Sequence, residues 1–83
     1  MKNSTTDSEH ARAIALESRA THCDQAAQEL ELALRHLQTA AKHFREGEIP
    51  RGCAHVFAAN GHQANASEAI HTLAVLHAAR SIP

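Results

Sequence analysis

The side chains in this chain that could do chemistry are its eight histidines, at His10, His22, His36, His43, His55, His62, His71 and His77 in 83 residues. Imidazole is the commonest protein ligand for zinc, nickel and copper, and it changes charge in mild acid. His36 and His43 stand one heptad apart, as do His55 and His62. No two of the eight fall at i,i+3 or i,i+4, the spacings at which a single helix offers a chelating pair. A ligand set therefore has to be assembled from two helices. Other chemistry has less to work with. Cys53 lies near the start of a helical segment, where the dipole lowers a thiol pKa. Its neighbour His55 is two residues away and points elsewhere around a helix, so Cys53 reads as a small packing residue near Phe44. There is no phosphate-binding Gly loop, zinc knuckle or Ser-His-Asp spacing.

The elements that must position the histidines are helices. From residue 8 to residue 46 there is no Gly and no Pro, and Ala, Leu, Glu, Gln and Arg dominate. Thr6 and Glu9 form a capping box, and Asp7 and Glu9 suit the positive end of the helix dipole. Lys42, His43 and Arg45 suit the other end. Gly47 is expected to take a left-handed conformation and close the helix. Pro50 fits the first turn of a second helix. The pattern predicts a mobile tail over 1–7, a helix over 8–46, a turn over 47–49 and a helix over 50–80. Asn60-Gly61 is a possible break, with Asn65 and Glu68 able to cap a new start. A continuous second helix is the preferred reading, Gly61 then marking close approach of another helix.

A strict heptad stripe runs through the first helix: Leu16, Cys23, Leu30, Leu37 and Phe44. A second stripe lies beside it: Ala13, Ala20, Ala27, Leu34 and Ala41. The second helix carries Val56, Ala59, Gln63, Ala66, Ile70, Leu73 and His77. Such stripes belong to helices packed lengthwise. In an antiparallel hairpin, residues whose numbers sum to about 98 lie level. His43 then meets His55, His36 meets His62, and His22 comes close to His77, as three rungs. In heptad terms His22, His36 and His43 sit on the shoulder of the Leu/Ala seam. Glu17, Glu29, Glu31 and Arg35 read as a solvated face, with Glu31 and Arg35 an i,i+4 pair.

Eighteen residues are Ala, against seven Leu, four Ile, two Val and two Phe. Ordering a chain costs about 1.5 kcal/mol per residue, and one Ala-rich seam does not bury enough apolar surface to offset that. The expected fold is all-α, a long antiparallel helical hairpin that pairs as a homodimeric four-helix bundle. The Leu/Ala stripes should be its core, and Leu37→Asp or Phe44→Asp should unfold it. The net charge is −1 with His neutral, and Tyr and Trp are absent, which argues against nucleic acid. No stretch approaches a membrane span and no signal segment is visible. Cys23 and Cys53 would lie far apart in the hairpin, so reduced thiols in a cytoplasm are expected.

The segment Ala40-Ala41-Lys42-His43-Phe44-Arg45-Glu46-Gly47, with Gly52, Val56 and Ala59, resembles a tetratricopeptide helix pair over about 25 residues. It occurs once, and one repeat cannot bury its own face, so the likeness is one of hairpin geometry. The same segment followed by Cys53-Ala54-His55-Val56-Phe57-Ala58-Ala59-Asn60-Gly61-His62 resembles short bacterial helical-hairpin proteins rich in Ala and His. That resemblance implies no activity and no site residues.

The leading functional reading is a non-catalytic helical interaction or scaffold protein that self-associates and can take a partner helix, with no cofactor. The alternative is a bundle holding zinc, nickel, copper or haem through His36, His43, His55 and His62. A pH switch is a further reading, since protonating all eight histidines moves the formal charge from −1 to +7. A thiol enzyme at Cys53 ranks last.

Overall fold

The computed structural model describes residues 4–83. It consists of two helices packed as a hairpin: α1, Ser4–Arg45, and α2, Ile49–Ala78. At 1.5 Å per residue, α1 is about 63 Å long and α2 about 45 Å. The first turns of α1 therefore run past the end of α2, and residues 6–14 are exposed throughout. The backbone measures 71 × 28 × 12 Å, so its thickness is that of one helix.

α1 starts upstream of the expected position. It runs through Thr6, which is therefore a first-turn residue and not a cap; residues 1–3 of the expected tail lie outside the described residues. α2 begins one residue early, with Pro50 in its first turn, and passes through Asn60-Gly61 without a break. One interior Gly costs about 1 kcal/mol, which the helix formers on either side absorb.

The turn is built as expected around Gly47, whose φ is +76°. Glu48 N–H donates to the His43 carbonyl at 2.8 Å, and Gly47 N–H to the Phe44 carbonyl at 3.0 Å. These are the two bonds of a Schellman motif. The close approach assigned to Gly61 occurs instead at Gly52. A Cβ at Gly52 would lie 2.5–2.7 Å from atoms of the Phe44 ring, whereas one at Gly61 would meet nothing within 4 Å.

The contact between the helices differs from the expected one. The buried residues are Ala26, Ala33 and Ala40 on α1 and Gly52, Ala59 and Ala66 on α2, each set at heptad spacing. Between them fall His22, Glu29, His36 and His43 on α1, and His55 and His62 on α2, all half-buried. The histidines are thus inside the seam and not on its shoulder. The Leu stripe is on the flank: Leu16, Leu30 and Leu37 are 47–50% exposed and Phe44 is 43% exposed. It is not the core of a single chain. The reason is steric. Ala and Gly let the two axes approach, and a half-buried imidazole fills the gap between Ala rungs while meeting polar partners.

Candidate functional site

The seam holds a ladder of six side chains. At the turn end, His43 Nδ1–H donates to Glu48 Oε2 at 2.9 Å. The His43 ring stacks on His55, with centroids 5.4 Å apart and planes 19° off parallel. The Nδ1 atoms of His55 and His36 are 2.9 Å apart, one donating to the other. The His36 ring stacks on His62 at 5.4 Å and 15°. His62 Nδ1–H then donates to Glu29 Oε2 at 2.6 Å. Pairs whose numbers sum to 98 stack, as the hairpin register requires; pairs one heptad off that sum hydrogen-bond across the stagger. A carboxylate closes each end.

The two rungs expected of His43 with His55 and of His36 with His62 form as stacked pairs. The third rung does not form: His22 Nδ1 lies 2.8 Å from the carbonyl of Ser18 in its own helix, and His77 is exposed. The four rings are also strung along the axis and not gathered around one point. Among the described residues, the set that brings three ligand atoms within 4.8 Å of one another is His43, Glu46 and Glu48.

Glu29 is the site residue the sequence reading misplaced. It is not part of the solvated face; its side chain is 28% exposed and bound to His62. The hydrogen bond from His62 lowers the Glu29 carboxyl pKa, against an opposing contribution from burial. The signal was present, since His22, Glu29, His36 and His43 form one heptad series. Glu31 and Arg35 do form the expected exposed pair, at 2.8 Å.

The two broad faces of the hairpin differ. On one, Leu30, Leu34, Leu37, Val56 and Phe57 line a groove floored by Ala33 and Ala59. On the other, Gln25, Glu29, Asn65, Glu68 and Thr72 line a shallow polar depression. Cys23 is exposed and Cys53 half-buried, both as free thiols. No helix among the described residues is long and apolar enough to cross a membrane. Comparison with protein families, curated proteins and solved structures returned no match.

Proposed function

We propose that this is a small non-catalytic helical interaction protein whose first partner is a second copy of itself, the two hairpins forming a four-helix bundle. The observation that carries this is a molecule one helix thick with an open apolar groove along one face, lined by Leu30, Leu34, Leu37, Val56 and Phe57. Stable domains bury such a face under a second layer. Leu16, Leu30, Leu37 and Phe44, with Val56 and Ile70 from α2, are 40–50% exposed, while the residues buried within one chain are only Ala and Gly. A second hairpin laid on the groove supplies the missing layer and covers the overhanging start of α1. The free thiols suit a reducing compartment, and a cytoplasmic role is part of the same reading.

Association that stabilises the fold makes melting depend on concentration. The thermal midpoint of the untagged protein should rise as its concentration is raised a hundredfold from the micromolar range. A midpoint independent of concentration would remove self-association from the account.

A further inference from the structure

We propose that the turn end of the hairpin binds one divalent transition-metal ion, of the borderline class that includes zinc, through His43, Glu46 and Glu48. One imidazole and two carboxylates form a donor set that such ions accept, with room for water in the remaining position. The three ligand atoms already lie within 4.8 Å of one another. Bonds of about 2.0–2.2 Å to a tetrahedral ion need donor separations near 3.5 Å, so closure takes side-chain rotation of about an ångström and no backbone change.

The backbone beneath the donors is fixed. His43, Glu46 and Glu48 all belong to the Schellman motif, whose ends are tied by the Glu48 N–H to His43 carbonyl bond of 2.8 Å. His43 is also held from behind. Its side chain is 19% exposed and its ring stacks on His55, so it is oriented before any ion arrives. Glu46 is exposed and free to swing in. His43 Nδ1 and Glu48 Oε2, 2.9 Å apart across a shared proton, need open by only about half an ångström to become adjacent ligands on one ion. Binding at that pair takes the neutral imidazole with its proton moved from Nδ1 to Nε2, so that the Nδ1 lone pair faces the ion. The site lies between the C-terminal end of α1, where the helix dipole favours a cation, and the N-terminal end of α2, where it does not, so the two dipoles offset each other and the donors carry the binding.

One group opposes it. The Arg51 guanidinium lies 3.4 and 3.5 Å from the two Glu48 oxygens and competes for the carboxylate. That makes the site distinguishable from diffuse binding by a His-rich chain. Histidines strung along the seam would not respond to Arg51, whereas an ion on Glu48 must.

The test is calorimetric titration of Zn2+ into the untagged full chain, stripped with chelator, at pH 7.5. The expected result is one ion per chain. Glu46→Gln should weaken binding at least tenfold and Arg51→Ala should tighten it severalfold; both positions are exposed, and unchanged helicity confirms the fold. His36→Asn should leave the affinity as it was. Binding that ignores Glu46→Gln and Arg51→Ala but is lost in His36→Asn would put the ion in the seam and overturn the proposal. So would the absence of one-to-one binding.

Discussion

His62 donates to Glu29 at 2.6 Å, and that bond lowers the carboxyl pKa. The sign of the linkage follows. A carboxyl whose pKa is lower folded than unfolded stabilises the fold above its unfolded value, about 4.3, and the contribution is lost as pH falls through the lowered folded value. Glu29→Gln should therefore melt below the wild type at neutral pH, with the gap closing below about pH 4 in paired thermal scans. A gap unchanged down to pH 3 would deny the carboxylate its role. The contact between His36 and His55 sets a second limit. Two Nδ1 atoms 2.9 Å apart share one proton; when both rings carry two protons, N–H faces N–H. His43 and His62 stack on the same pair and add like charge, with only Glu29 and Glu48 to offset it. Double protonation of both rings is therefore incompatible with this contact. At this scale the register rule made the His43–His55 and His36–His62 pairs legible. Glu29 was passed over because a lone carboxylate among Glu31 and Arg35 looks like surface.

The two helices were legible because α1 holds no Gly or Pro, Gly47 marks the turn, Pro50 opens α2, Pro83 lies past its end, and α2 tolerates Gly52 and Gly61. The face each helix turns inward was not legible. Two heptad stripes run along α1, one of Ala and His and one of Leu, and hydrophobicity selects the bulkier. What decides the contact within the chain is how closely the axes can approach, and small residues allow that. Leu37→Asp, expected to unfold a Leu core, is accordingly expected to leave the contact within one chain intact and to weaken the proposed self-association. The glycines give a test at the scale of an element. Gly47 has φ +76°, so Gly47→Ala should cost about 1–2 kcal/mol although the space around it is open. Gly61 is helical with nothing within 4 Å of a Cβ, so Gly61→Ala should stabilise by about 1 kcal/mol. Denaturant unfolding of the two variants should move the midpoint in opposite directions. Movement in the same direction would mean that the turn or the continuous α2 is wrongly placed.

The described residues form a single layer with an apolar groove on one side and a polar depression on the other. That asymmetry is what α1 and α2 create by meeting through Ala, Gly and His, which leaves the Leu stripe exposed. An isolated helix is marginal in water, and residues 6–14 of α1 have no cover from α2, so the hairpin is incomplete at the end as well as on the face. Sedimentation equilibrium of the untagged protein at neutral pH tests this most directly. Twice the 9.0 kDa chain mass, about 18 kDa, is expected, with full helicity. A well-folded species at the mass of one chain would contradict it.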